Sequence, residues 1–433
     1  MGLKIRKIKF LNEAQLGDLE LDFLNSQTGL PYQNIVFVGD NGVGKTNLLR
    51  SLLEIISSTT RSYIYRYIEY ELSGRVCRFE RLRDYDDAEH DYRFQLYDAE
   101  TNHIYMISPL EDDYPEELRP RSEGIIMSCS NNDHFAKKGD DFSSMIERLV
   151  NLQNEDSINY AYYNIQHDDA PLKWSEFFQR SKMKTFADSF NAFFEDMKYF
   201  GMGFSDRHKK VIGFTKYGTQ IDMQSLSSGE KQIIERTVPI LEIMTEQKDN
   251  LLFIDEPEMS LHPKWQEKVH SYFKQLFTDA SGFQQNQIFI ASHSSAFLKK
   301  ALMDEKSLVV RLINHNGSVE AQRIEHPTYL SDVTFAEVNY LVFDIVSAEY
   351  HNQLYCQIQN RHNLSKVKAC DEYIYHHHAF NPNLHQRISS YGRVQYNTIC
   401  SYIRNAIDHY DNGHTYTEDE LRCSIQLMQE ILR

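Results

Sequence analysis

The eight residues Gly39-Asp40-Asn41-Gly42-Val43-Gly44-Lys45-Thr46 constrain this chain more than any other feature. They follow the buried-strand pattern Asn34-Ile35-Val36-Phe37-Val38. They precede a stretch from Asn47 to Ser57 in which Leu48, Leu49, Leu52, Leu53 and Ile56 recur at helical spacing. A glycine-rich loop between a strand and a helix lets backbone N–H groups curl around phosphate oxygens. Gly39, Asn41, Gly42 and Gly44 would form that cradle. Lys45 would reach the β- and γ-phosphates, and the Thr46 hydroxyl would face Mg²⁺.

The rest of the chain agrees with an intracellular α/β protein. Its 433 residues suffice for two or three domains, and 41% are hydrophobic, enough for a substantial core. No apolar run approaches the ~18 residues of a membrane span, and the N-terminus lacks a secretory signal. Cys77, Cys129, Cys356, Cys370, Cys400 and Cys423 are scattered without a CxxC pair, which fits a reducing cytoplasm. The formal net charge of −16 counts against a generic nucleic-acid binder, though not against a local basic patch.

Strand patterns occupy Lys4–Phe10 and Leu19–Phe23, and strand-like segments between about 63 and 108 suggest an antiparallel meander. Residues of about 110–210 read as an inserted helical lobe, with helices expected over Phe142–Leu152 and Trp174–Phe200. Strands return at Leu251–Ile254, Gln287–Ala291 and Leu308–Ile313 with helical patterns between them, the alternation of a parallel sheet. A boundary is expected near 325–335, around His326-Pro327. No long heptad run is present, so a coiled-coil arm is not expected.

Four more motifs lie further along the chain. Leu251-Leu252-Phe253-Ile254-Asp255-Glu256-Pro257 is an apolar strand ending in two carboxylates. Asp255 fits the outer-sphere Mg²⁺ ligand of a Walker B motif, and Glu256 a general base or water-orienting group. Leu226-Ser227-Ser228-Gly229-Glu230-Lys231-Gln232 puts small residues at a helix start, where amides can meet a γ-phosphate. On its own this is also a serine-capped helix. Glu258-Met259-Ser260-Leu261-His262 lies where a D-loop would lie. Ala291-Ser292-His293 ends the next strand, with His293 at the position of a switch histidine.

With these motifs the chain resembles the ABC-type ATPases of bacterial phage-defence systems. These are the overcoming-lysogenization-defect (OLD) ATPases, the Septu ATPase PtuA and AbiEii-like AAA proteins. The phrase Phe253-Ile254-Asp255-Glu256-Pro257-Glu258-Met259-Ser260-Leu261-His262-Pro263 is typical of the group. The resemblance spans residues 1–325, and no Toprim-like acidic constellation follows. It implies an α/β, ABC-type P-loop ATPase with an antiparallel β meander and an inserted helical lobe. ATP and Mg²⁺ are the implied cofactors. Lys45, Glu256 and His293 would be catalytic, and Thr46 and Asp255 would serve the metal. Ser227, Ser228, Gly229 and Glu230 would meet the nucleotide of a second copy, in a homodimer or larger homo-oligomer.

The boundaries expected are 1–328 for the ATPase and 329–433 for a mainly helical effector or docking domain. In the latter, Arg404-Asn405-Ala406-Ile407-Asp408-His409 resembles the R-N-x-x-x-H motif of HEPN ribonucleases. That resemblance implies metal-free RNA cleavage by Arg404, Asn405 and His409. The same residues also fit an Arg404–Asp408 ion pair with His409 closing the helix. His376-His377-His378 is expected as an exposed polar run. Two outputs stay open. One is a nuclease in the chain itself. The other, as in Septu, is a docking module for a separate HNH-type nuclease. Nucleic acid would be trigger or substrate in either. A DNA-repair ATPase of the SMC type is a distant third.

Overall fold

The computed structural model describes residues 2–57, 64–82, 94–107, 115–120, 125–127, 142–204, 210–221, 225–243, 251–278, 282, 284, 286–325, 328–409 and 413–433. Cys129 and the expected boundary pair His326-Pro327 lie outside them. The chain divides into two compact units, one of residues 1–301 with 306–322, the other of 302–305 with 323–433. Among the described residues no helix is long and apolar enough to cross a membrane.

The first unit is built on two six-stranded sheets. One has the order Ser318–Ile324, Ser307–His315, Asn34–Gly39, Gln287–Ala291, Leu251–Asp255, Ile125–Met127. The five strands from Ser307–His315 to Ile125–Met127 run parallel. Every residue of Asn34–Gly39, Leu251–Asp255 and Gln287–Ala291 is buried, as the unbroken apolar runs require of strands covered on both faces. The register pairs Asp255 with Ala291 and Phe37 with Ala291, so the P-loop, the two carboxylates and the switch segment leave one edge of the sheet. That edge, at the carboxyl ends of parallel strands, is where open α/β sheets bind ligands.

The other sheet is the expected meander. Glu20–Asp22, Lys4–Phe10, Tyr65–Leu72, Arg75–Arg81, Phe94–Asp98 and His103–Ile107 are hydrogen-bonded in that order. Phe10, Phe23, Tyr65, Phe79 and Phe94 fill a common core with the helix Lys45–Ser57. Buried Gln287 ties the sheets together. Its Nε2 donates to the carbonyls of Ile5 and Tyr32 at 3.0 and 2.9 Å, and its Oε1 accepts the Ile5 amide at 2.7 Å.

The insertion departs from the purely helical expectation. Helices span Phe142–Gln166, Trp174–Phe178 and Lys182–Phe193, but Ile125–Met127 joins the parallel sheet and Met197–Phe204 is a strand. The latter forms a three-stranded sheet with Lys210–Lys216 and Thr219–Ile221. Its residues Met197 and Tyr199 are buried while Lys198 and Phe200 are exposed, the period-two pattern of a half-covered strand. Phe186, Phe190, Phe194, Tyr199 and Phe214 form the aromatic core of this lobe.

The second unit has its own core. The helices Phe335–Phe343, Ala348–Arg361, Val367–Tyr375, Ile399–Asp408 and Glu418–Leu432 pack Tyr350, Leu354, Tyr355, Ile374, Ile403, Ile425 and Met428 together. Each of four of these helices starts on a Ser or Thr whose side chain accepts an amide of the first turn: Thr334, Ser347, Thr398 and Thr417. A hairpin, Gln386–Tyr391 with Val394–Thr398, interrupts the expected helical run.

Candidate nucleotide site

The P-loop leaves its strand at Gly39, whose φ is +145°. A Cβ there would stand 2.4 Å from the Leu312 carbonyl oxygen, so only glycine fits. The loop curls onto Lys45, the first residue of its helix. Lys45 is 6% exposed, and its Nζ donates to the carbonyls of Gly39 and Asp40, both at 2.9 Å. Burial lowers the affinity of this amine for its proton, while Glu256, Asp255, Asp40 and Glu258 act to keep it charged.

The Thr46 hydroxyl donates to Asp255 Oδ2 at 2.8 Å, joining the P-loop to the strand two places away in the sheet. The following residue, Glu256, has a φ of +48°, a left-handed conformation that is costly outside glycine and gathers at functional sites. Its amide is held by the Ala291 carbonyl at 2.9 Å. This turn separates two consecutive carboxylates: Asp255 stays on Thr46, and Glu256 Oε1 lies 3.6 Å from His293 Nε2. Burial depresses the His293 pKa, and the charge on Lys45 depresses it further against the pull of Glu256 and Asp40. His293 is therefore a neutral imidazole at neutral pH.

The set Lys45, Thr46, Asp255, Glu256 and His293, expected from three separate motifs, thus converges at one sheet edge. The donor set fits a Mg²⁺-nucleotide. A desolvated lysine and the P-loop amides suit phosphates, and the Thr46–Asp255 oxygen pair suits a hard cation. The several carboxylates around Lys45 would repel phosphates unless a cation came with them.

The signature segment forms the start of the helix Ser228–Ile243. Ser227 and Ser228 are exposed. Glu230 turns inward: it pairs with Lys216 at 2.6 Å, and its Oε2 accepts the Ser227 amide at 2.7 Å while its own amide donates to Ser227 Oγ at 3.4 Å. Burial alone would raise the Glu230 pKa, but the bonds from Lys216 and Ser227 outweigh it and hold the carboxyl ionised. Glu230 thus braces the loop that presents the two serines. Gly229 sits on Trp265, and a Cβ there would meet the indole at 3.0 Å. Trp265 packs in turn on Phe193 and Phe194 of the inserted lobe.

In the second unit, Arg404 pairs with Asp408 at 2.7 Å and donates to Asn405 Oδ1 at 3.1 Å. Asn405 is buried. His409 caps the helix end and stacks on Tyr391 of the hairpin at 4.3 Å. His376 and His378 are exposed, and His377 is partly buried.

Sequence reasoning gave no role to three residues that hold this site in shape: Glu258, placed only in the D-loop segment, Trp265 and Arg236. Glu258 binds Ser292, His293 and Ser294, which are 34–36 positions away. No local pattern announces such a contact.

A P-loop, a Walker B carboxylate pair, a serine–glycine signature helix and a switch histidine on this sheet define a P-loop ATPase of the ABC type. The chain belongs to the family described as "AAA domain, putative AbiEii toxin, Type IV TA system", which matches residues 35–299, more than half of its length. It is 23% identical over 342 residues to the Septu protein PtuA of Bacillus thuringiensis, covering 76% of this chain and 80% of that one. Among solved structures it is similar to an SMC head bound to the C-terminal winged-helix domain of ScpA, with 12% identity and a TM-score of 0.44, covering 74% of this chain and 98% of that one. It is also similar to the SMC head domain from Thermotoga maritima, with 13% identity and a TM-score of 0.41, covering 75% and 100%.

Proposed function

We propose that this chain is the ATP-hydrolysing component of an antiphage defence system and that a nucleotide-closed dimer of it controls a separate nuclease. The observation that carries the ATPase part is the convergence of Thr46–Asp255 at 2.8 Å and Glu256–His293 at 3.6 Å beside buried Lys45. The family and the PtuA relative support the defence context.

In this reading the P-loop amides and Lys45 grip the phosphates, and Thr46 and Asp255 hold Mg²⁺. The bound cation would neutralise charge developing on the phosphate oxygens. Glu256 orients water and takes its proton. Neutral His293 stands ready to hydrogen-bond the γ-phosphate. The exposed Ser227 and Ser228, beside Gly229, supply helix-start donors to the nucleotide of a second copy. One copy cannot complete both halves of its own site, so the working unit is a head-to-tail homodimer or a larger assembly of such pairs.

For the output, the similarity to PtuA favours docking of a separate, HNH-type nuclease over cleavage by residues 329–433 themselves. The Arg404–Asp408 pair points the same way, since it engages the guanidinium that a HEPN-like site would aim at a phosphodiester. The test is to incubate the purified chain with total cellular RNA, with and without Mg²⁺-ATP. ATP hydrolysis without new RNA ends is expected. Cleavage that disappears in both Arg404→Ala and His409→Ala while ATPase activity persists would overturn the docking reading in favour of a HEPN-like nuclease in the chain itself.

A further inference from the structure

Glu258 follows the catalytic pair by two residues but does not face the nucleotide edge as they do. It is 6% exposed, and one of its oxygens gathers three donors from the segment after the strand Gln287–Ala291. Oε1 accepts the Ser292 hydroxyl at 2.7 Å, the His293 amide at 2.8 Å and the Ser294 amide at 3.1 Å. Oε2 is buried with no hydrogen-bond partner among the described residues. A carboxylate placed this way is costly to bury, and its three bonds fix the backbone of the residue that carries the switch imidazole.

The same short turn is gripped from its other side. Arg236, on the signature helix, donates to the Pro257 carbonyl and, at 3.4 Å, to that of Met259. Within the turn, Met259 N donates to the Glu256 carbonyl at 3.1 Å and Leu261 N to that of Glu258 at 3.0 Å. Residues 256–261 therefore form one hydrogen-bonded unit lying between the signature helix and the switch segment.

We infer that Glu258 is a positioning residue for ATP hydrolysis, which sets His293 against Glu256 and transmits the position of the signature helix, through Arg236 and the 257–259 turn, to the switch histidine. When a second copy's nucleotide meets Ser227 and Ser228, any displacement of their helix pulls on the carbonyls of Pro257 and Met259. Glu258 turns that displacement into a movement of the His293 backbone. Coupling then runs through contiguous hydrogen bonds inside one subunit, from the half-site it lends to its partner to the half-site it keeps.

This inference rests on the ATPase reading, and a double-mutant cycle in the full-length protein separates the two. Glu258→Ala removes the acceptor, and a kcat for ATP about ten- to a hundredfold lower is expected, with KM for ATP little changed. Glu258→Gln keeps an oxygen for the two amides and should recover most of that loss. In a His293→Ala background, Glu258→Ala should cost less than about twofold more, because its effect passes through the ring already removed. Ser292→Ala, a smaller change, should show the same dependence on His293 if Glu258→Ala does not fold. Equal losses in both backgrounds, or a Gln variant as damaged as the Ala variant, would reduce Glu258 to a structural acid and overturn the inference. A wild-type protein that does not hydrolyse ATP would instead overturn the ATPase reading.

Discussion

The two units bury comparable polar groups to opposite ends. In the ATPase unit, Lys45, Asp255, Glu256 and His293 meet at one edge of a parallel sheet, and Glu258 holds the segment that carries His293. There, Glu256, Asp255 and Asp40 bear on the buried Lys45 ammonium, and Glu256 sits in a left-handed conformation. In the C-terminal unit, buried polar groups settle local structure. Asp371 accepts the amides of Asn397 and Thr398 and the Thr398 hydroxyl, at 2.7–3.0 Å. His351 Nε2 meets the Ser424 hydroxyl at 2.9 Å, and Glu337 caps the amides of Tyr329 and Leu330. Charge converging on one buried lysine marks a site built for a ligand, whereas side chains spent on nearby amides and hydroxyls mark a site built for folding.

The sharpest way to break this contrast is at Glu256. Glu256→Gln preserves the shape beside His293 but removes the base, so kcat for ATP should fall by about 10²–10⁴ with nucleotide binding intact. Sedimentation in ATP should then show a heavier species than wild type, the trapped dimer. Wild-type turnover and wild-type sedimentation by this variant would leave the crowded carboxylates without their proposed role.

Gly229 offers the next largest effect and a finer distinction. Gly229→Asp places a carboxylate where a second copy's γ-phosphate should lie, and hydrolysis should be lost while ATP binding remains. Because a Cβ would also press on Trp265 at 3.0 Å, Gly229→Ala is the needed companion. Alanine adds the crowding without the charge, so it should lower kcat by less than the aspartate does. Equal loss in both would assign the effect to packing on Trp265 rather than to the phosphate.

The motifs were legible because each is a contiguous string with its chemistry inside it, and their order along the chain limited where they could meet. The strand Lys4–Phe10, the helix beginning at Lys45 and the parallel core strands follow directly from apolar patterning. Two elements were misread although their signals were present. Met197–Phe200 alternates buried and exposed residues, but the aromatics of this strand merge with those of the helix Lys182–Phe193 into one apolar stretch. The hairpin Gln386–Thr398 turns at Gly392-Arg393, with Gly392 at a φ of +59°, a two-residue turn of the kind hairpins favour. The pairings of Glu258 with 292–294 and of Gly229 with Trp265 had no local signal, because tertiary packing alone creates them.

The smallest expected effect sharpens the contrast from the C-terminal side, through pH. Burial holds His351 neutral when folded, with its pKa lowered to about 4, whereas in the unfolded chain it titrates near ~6.5. Between those values the unfolded state binds a proton that the folded state refuses, so this residue makes the unit less stable as pH falls from about 6.5 to about 4. Glu337 acts the other way. Burial raises its carboxyl to about 7 against the bonds from Leu330 and Tyr329, while the unfolded residue titrates near ~4.3. The folded state then binds the extra proton, and stability rises as pH falls from about 7 toward ~4.3. Each slope is at most ~1.4 kcal/mol per pH unit, and the windows overlap, so the two nearly cancel in the wild type. Single variants should uncover the hidden halves. Glu337→Gln keeps an acceptor for the Tyr329 and Leu330 amides and leaves His351 unopposed, so the C-terminal transition in calorimetry of the full chain should move down in temperature between pH 6.5 and 4.5. His351→Gln keeps a donor to Ser424 and leaves Glu337 unopposed, so the same transition should move up. If both variants follow the wild-type pH profile, these buried groups do not titrate as their burial requires. The C-terminal unit would then need to be open to water where the structure closes it.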